Sequence, residues 1–212
     1  MPAERIHLVR HGEVHNPEGV LYGRIPHFHL SERGHKMAEA AAEELKSDRR
    51  KITALYSSPL LRTRESAEPI KAAFKLEPIT DARFIEPTNV FEGRRLGFNH
   101  IIIRPHLYFH LRNPLRPSWG EPFEAIADRM LEGIEEVWQN TEFGDAVIVS
   151  HQLPIWMVHR RLAGQSLPHD PKKRRCALSS ITTIEKNKAG KFVEIDYRNP
   201  AGNIKAIDLG AV

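Results

Sequence analysis

Short apolar runs and longer amphipathic stripes alternate along this chain. Ile6 to Val9, broken only by His7, and Ala146 to Val149 are brief apolar segments, and Ile52 to Tyr56 is rich in β-formers. All three read as strands of a largely buried sheet. After Ser31, a helix N-cap, the positions Met37, Ala38, Ala41, Ala42 and Leu45 form one apolar stripe. Ser58 followed by Pro59 gives a cap-plus-first-turn signal for a second helix, whose apolar face continues through Leu60, Ala67, Ile70 and Phe74. Phe123, Ile126, Met130, Ile134, Val137 and Trp138 mark a third. Toward the end, Ala177 to Ile184 and Phe192 to Tyr197 are separated by Asn187, Lys188 and Gly190, and they read as the strands of a hairpin. Strands alternating with helices predict an α/β fold: a three-layer α/β/α sandwich with a mainly parallel sheet and an antiparallel strand at one edge.

The segment 93–120 breaks this rhythm. It contains Arg94, Arg95, Arg104, Arg112 and Arg116, the prolines 105, 114 and 117, and no acidic residue. This is the composition of a basic lid insertion over an anion site, with Phe98, Tyr108, Phe109 and Trp119 closing off water. A dimer contact or an ordinary surface would use the same residues.

Length and composition narrow the class. The 212 residues suit one domain, 1–212, and 41% hydrophobic with 27% charged residues is a globular balance without a membrane-length apolar stretch. The first residues lack a secretory pattern, so a cytoplasmic location is expected. Cys176 is the sole cysteine, which excludes an intrachain disulfide and a cysteine-based zinc cluster. The formal charge of +4 fits a small anion and a nucleic acid equally well.

Chemistry concentrates where strands end. In open α/β sheets ligands gather outside the carboxyl ends of strands, where helix N-termini supply donors for anions. One such end delivers Arg10 and His11, a second Ser57, Ser58 and, a helical turn on, Arg62, and a third Ser150, His151 and Gln152. An arginine beside a histidine disfavours the imidazolium and keeps a nucleophilic ring nitrogen. A phosphoryl group in transfer requires cationic donors around its oxygens and an in-line nucleophile, and two arginines with two histidines supply both.

With these residues in view the chain resembles the histidine phosphatase superfamily, the phosphoglycerate mutase-like proteins. The resemblance is carried by "LVRHGE" at 8–13, "YGR" and "LSERG" within 22–34, "SSPLLRTRESAEPI" at 57–70, "FIEPTNVFEG" at 84–93, "WGEPFEAIADR" at 119–129 and "VSH" at 149–151. It implies that His11 is the nucleophile that becomes phosphohistidine, that Arg10, Arg62 and His151 grip the phosphate, and that Glu86 protonates the leaving oxygen. Glu92 is the competing carboxylate. Substrate contacts are expected from Asn16, Gly23, Ser58, Gln152, Arg94 and Arg95. The chain departs from the family pattern in three places: Asn16 stands six rather than seven residues after Arg10, Pro87-Thr88-Asn89 precede Phe91-Glu92-Gly93, and Gln152 stands where glycine is common.

The resemblance implies a metal-independent phosphatase for a small phosphomonoester, with no cofactor. Phosphoglycerate mutase-type transfer is the alternative, and it is disfavoured because such mutases are usually longer in the lid and tail. The run Lys172-Lys173-Arg174-Arg175 raises nucleic-acid binding, but it lacks interleaved aromatics and reads as a solvated loop. His27 and His29, with His100, His106 and His110, raise a metal site, but no carboxylate at familiar ligand spacing accompanies them. The expected partner is a small phosphorylated metabolite, with neither nucleic acid nor membrane, and homodimer formation stays open.

Overall fold

A computed structural model describes residues 2–95 and 120–205. Six strands form one sheet: β1 (Arg5–Arg10), β2 (Ile52–Ser57), β3 (Ile79–Thr80), β4 (Asp145–Ser150), β5 (Ile181–Lys186) and β6 (Phe192–Arg198). Their order across the sheet is β3-β2-β4-β1-β5-β6. The first four are mutually parallel, and β5 runs antiparallel to both β1 and β6. The antiparallel component thus lies at one side of the sheet, as the hairpin pattern predicts.

Among the described residues four helices cover the sheet: α1 (Glu32–Ser47), α2 (Leu61–Phe74), α3 (Phe123–Asn140) and α4 (Gln152–Leu162). Side chains alternate across the central strands. Ile6, Leu8, Ala146 and Ile148 join Ile126, Met130 and Ile134 of α3 and Met157 of α4 in one core cluster. Val9, Val147 and Val149 face the other way, onto Ala41 and Leu45 of α1 and Ala67 and Ile70 of α2. The period of two explains why these strands are apolar almost without interruption: each face has its own helix layer to bury against. Among the described residues, no helix is long and apolar enough to cross a membrane.

Several boundaries differ from the sequence reading. Ser58 is not the cap of α2: the helix starts at Leu61 after Leu60, no side chain caps it, and the Ser58 hydroxyl is used elsewhere. Residues 177–180 are not part of the hairpin, because Ser180 N–H turns back onto the Ala177 carbonyl and Ser179 takes a left-handed φ of 55°. The short β3 and the helix α4 were not among the predicted elements. Of the lid, only residues 93–95 and Gly120 fall within the described residues. Arg104, Arg112, Arg116, Phe98, Tyr108, Phe109 and Trp119 lie outside them.

The register aligns the functional ends. Arg10 pairs with Ser150, and Val149 pairs with both Val9 and Ser57, so the chain leaves β1, β2 and β4 at one level.

Candidate active site

The sequence Arg10-His11-Gly12-Glu13 explains itself residue by residue. Arg10 is the last residue of β1, fully buried, and donates Nη1–H to the Cys176 carbonyl (2.7 Å). His11 continues the ladder by donating its backbone N–H to the Ser150 carbonyl (3.1 Å). Gly12 then passes so close to α1 that a Cβ would collide with the Gly34 carbonyl oxygen, and a Cβ on Gly34 would collide with that of Glu13. Two glycines are therefore the condition for this approach. Glu13, 3% exposed, accepts hydrogen bonds from Ser31 Oγ (2.6 Å) and Arg33 Nε (3.1 Å), fastening the loop to the start of α1. Ser31 caps that helix as predicted, through Gly34 N–H.

Around His11 stand three side chains from the other strand ends. Its Nδ1 lies 2.8 Å from the Gly12 carbonyl, which accepts only a protonated nitrogen, so the tautomer is fixed and Nε2 keeps its lone pair. Burial, followed by the charges of Arg62 and Arg10, holds the His11 pKa well below the ordinary value and the ring neutral. The His151 ring lies 5.3 Å away, edge to face. His151 too is kept neutral by burial first and by Arg62 second. Its Nε2 meets Ser58 Oγ at 2.8 Å, and its Nδ1 lies 3.4 Å from Glu86 Oε2.

Arg62, in the first turn of α2, is fully buried. One Nη2–H goes to the Gly23 carbonyl (2.6 Å), and the guanidinium lies over the Tyr22 ring at 4.7 Å. Its Nε and Nη1 are buried without an acceptor among the described residues. Two orphaned donors on a buried cation cost several kcal/mol in an empty interior, and they suit an oxyanion. Glu86 follows a short 3-10 turn (Ala82–Phe84) and is 2% exposed. Burial raises its carboxyl to about 7, although Arg62 and Arg174 pull the other way.

The structure brings Arg10, His11, Arg62, His151 and Glu86 together, with Ser58 as hydrogen-bond partner of His151. The remaining predicted positions lie around this group. Gly23 has φ 38°, and a Cβ there would strike the Glu92 carboxylate; Glu92 itself accepts the Asn89 N–H through Oε1 (3.0 Å). Asn16 closes its own loop, donating to the Val20 carbonyl and accepting the Val20 N–H. Gln152 opens α4 beside His151 and reaches the Cys176 carbonyl (3.4 Å). Arg94 holds a buried Nη1 without a partner among the described residues, whereas Arg95 is exposed near Glu18.

Sequence reasoning missed Tyr22, Ser66, Gly34 and the segment 174–180. Ser66 accepts the Gly12 N–H (3.0 Å), Ser179 N–H reaches the His11 carbonyl (3.3 Å) and the Ser180 carbonyl accepts the Arg10 N–H (3.1 Å). The ordered motifs around them are a signal for Tyr22 and Gly34. For residues 176–180, whose contribution is backbone, there is none. Among the described residues no three potential ligands converge as a metal site, and His29 stacks on His15 (5.1 Å) rather than chelating with His27. His100, His106 and His110 lie outside the described residues.

Comparison with known proteins places this arrangement. The model of the histidine phosphatase superfamily (branch 1) matches residues 6–196. The uncharacterized protein Rv0525 of Mycobacterium tuberculosis (strain H37Rv) is 45% identical over 203 residues, covering 95% of this chain and 99% of its own. Phosphoserine phosphatase 1 of Hydrogenobacter thermophilus is 32% identical over 171 residues, 76% of each chain. The 2,3-bisphosphoglycerate-dependent phosphoglycerate mutase of Thermoplasma acidophilum is 32% identical over 151 residues, 70% of each.

Proposed function

This chain belongs to the histidine phosphatase superfamily, branch 1, and from that premise we propose that it hydrolyses a small phosphomonoester through a phosphohistidine on His11. The observation that carries the reading is the pair of buried, acceptorless donors on Arg62 beside a histidine whose tautomer is fixed. Such donors hold phosphoryl oxygens in the transition state without reorganisation.

In the first step His11 Nε2 attacks phosphorus in line, the N–P bond forms and the ester P–O bond breaks. The departing alkoxide takes a proton from Glu86, whose burial keeps much of it in the acid form near neutrality. Arg10, Arg62 and neutral His151 hold the equatorial oxygens. In the second step water attacks the same phosphorus, its proton goes to the Glu86 carboxylate, the N–P bond breaks and inorganic phosphate leaves. Glu92 fits the acid role less well, since its carboxylate already receives a backbone donor and lies against Gly23. The charge stabilisation is supplied by arginines, so turnover is expected to survive a strong chelator.

The test is turnover of a panel of phosphorylated metabolites by the parent and by His11→Ala. The variant should fold normally, because His11 lies beyond the apolar part of β1, and lose at least about a thousandfold in kcat. Residual activity within about tenfold, a barrier change near 1.4 kcal/mol, would refute the nucleophile. Alkaline quench of the parent should trap labelled phosphohistidine. The mutase relative favours a second reading, transfer between hydroxyls of one carbon skeleton. Stoichiometric release of inorganic phosphate supports hydrolysis, and isomerised ester without release supports transfer.

A further inference from the structure

One peptide group behind the site is held from both of its sides. The Cys176 carbonyl accepts Nη1–H of Arg10 (2.7 Å) and Nε2–H of Gln152 (3.4 Å). The N–H of the same peptide belongs to Ala177, and in a trans peptide it points away from that carbonyl. It donates to the Tyr197 hydroxyl oxygen at 3.1 Å. A tyrosine hydroxyl on one side and the Arg10 guanidinium on the other therefore share a single rigid plane.

Tyr197 comes from the edge strand β6, two strands away from β1 in the sheet. Its place is set twice. The hairpin register pairs it with Thr182 of β5, which in turn pairs with Leu8 of β1, so the three residues lie abreast. The Arg175 guanidinium lies over the tyrosine ring at 4.2 Å and is ion-paired with Glu194 of the same strand, whose carboxylate also meets His159 Nδ1 of α4 at 2.5 Å. The 176–177 peptide has no such frame of its own, because it belongs to neither helix nor strand. Its orientation depends on the groups that bond it. A hydrogen bond to the N–H also polarises the carbonyl, which makes it a stronger acceptor for a cation.

We propose that Tyr197 is a positioning residue for phosphoryl transfer: its hydroxyl fixes the 176–177 peptide, and the Cys176 carbonyl thereby aims the Arg10 guanidinium at the phosphoryl oxygens. A cation aimed beforehand stabilises the charge spread over the equatorial oxygens in the transition state without reorganising. The proposal rests on the phosphoryl-transfer reading of this site and adds to it a residue from the far edge of the sheet.

Tyr197→Phe removes the acceptor and keeps the ring under Arg175, so the variant should fold. On the best ester of the metabolite panel its kcat should fall about fivefold, the weight of one ordinary hydrogen bond, with KM moving less than about twofold. Repeating the change in an Arg10→Lys protein separates positioning from a merely structural role. A tyrosine that works through the arginine fork should cost less than about twofold there. Equal losses in both backgrounds, or no loss in the parent, would overturn the proposal. Orthovanadate, a mimic of five-coordinate phosphorus, supplies a readout that needs neither turnover nor the lysine protein. Calorimetry should show Tyr197→Phe binding vanadate about fivefold more weakly than the parent does. That result supports the aiming of Arg10 even if the parent hydrolyses no ester, which would refute the hydrolase reading alone. Unchanged vanadate affinity overturns the proposal whatever the parent hydrolyses, and a parent that binds no vanadate overturns both.

Discussion

Replacing Glu86 by glutamine separates three consequences of one buried carboxyl. With an alkyl phosphate the departing alkoxide needs a proton, so the burst rate of His11 phosphorylation should fall by about a hundredfold, whereas nitrophenyl phosphate should lose only a few-fold. The acid form empties above about 7, so kcat/KM of the parent on an alkyl ester should decline as pH rises through that value, and the variant should lack this limb. Stability moves the same way. The folded value lies above the ordinary 4.5, so the favourable contribution of Glu86 is complete below 4.5 and is lost as pH rises through about 7. Urea unfolding at pH 8 should show the glutamine variant more stable, by on the order of 3 kcal/mol at most, and no such gain at pH 4. Arg10, His11, Arg62 and His151 were legible because each lies at or just beyond a strand end, and strand ends converge in a parallel sheet, whereas Glu86 was legible only through the family resemblance. Ser58 was misread because cap preference is a local signal, while its hydroxyl serves His151, 93 positions away. The inward turn of Arg174, which bonds His169 and Gln152, is not legible in a run whose other three members are exposed.

Between loop and helix the fit leaves no space for a side chain. The Gly12–Gly34 approach joins backbone to backbone, so nothing flexible can yield to an added methyl. Gly34→Ala should therefore destabilise the protein by about 2–4 kcal/mol, in the range of other forced overpacking, and also displace the His11 loop so that kcat falls. Gly190→Ala is the control: it sits in the hairpin turn at φ 75° with open space around it, and only backbone strain of about 1 kcal/mol is expected, without loss of kcat. Denaturant midpoints with initial rates decide both. Helices α1 and α3 were readable from their stripes because each buries one face on the sheet. The short β3 pairs through only two positions and leaves no periodic trace. The turn at 177–180 carries β-forming neighbours, and tertiary hydrogen bonds to β1 override that local preference.

Across the whole molecule, chemistry and stability occupy opposite ends of the sheet. At the amino ends of β1 and β4, fully buried Asp145 accepts from Arg50 Nε (2.5 Å) and Nη2 (2.8 Å) and from His7 Nε2 (3.2 Å), and His7 also meets Thr183. Burial alone would raise the Asp145 carboxyl, but the bonds from Arg50 and His7 hold it at about 2. Its stabilising contribution is present above the ordinary 3.8 and is lost as pH falls through about 2. Asp145→Asn should cost about 3 kcal/mol in denaturant unfolding at pH 7, with KM unchanged, since the reacting groups lie roughly 17 Å away along the strands. The order of strands in the sheet has a further consequence, for the chain as it is being made. β1 is synthesised first, yet it lies between β4 and β5, and the backbone of its Arg10 and His11 is held by residues that follow Cys176. A ribosome must add roughly 170 residues before those partners exist, and loop closure over such a span is slow. Until β4 is made, β1 is an apolar segment with no neighbouring strand, and the backbone around His11 is not fully held until the residues after Cys176 follow.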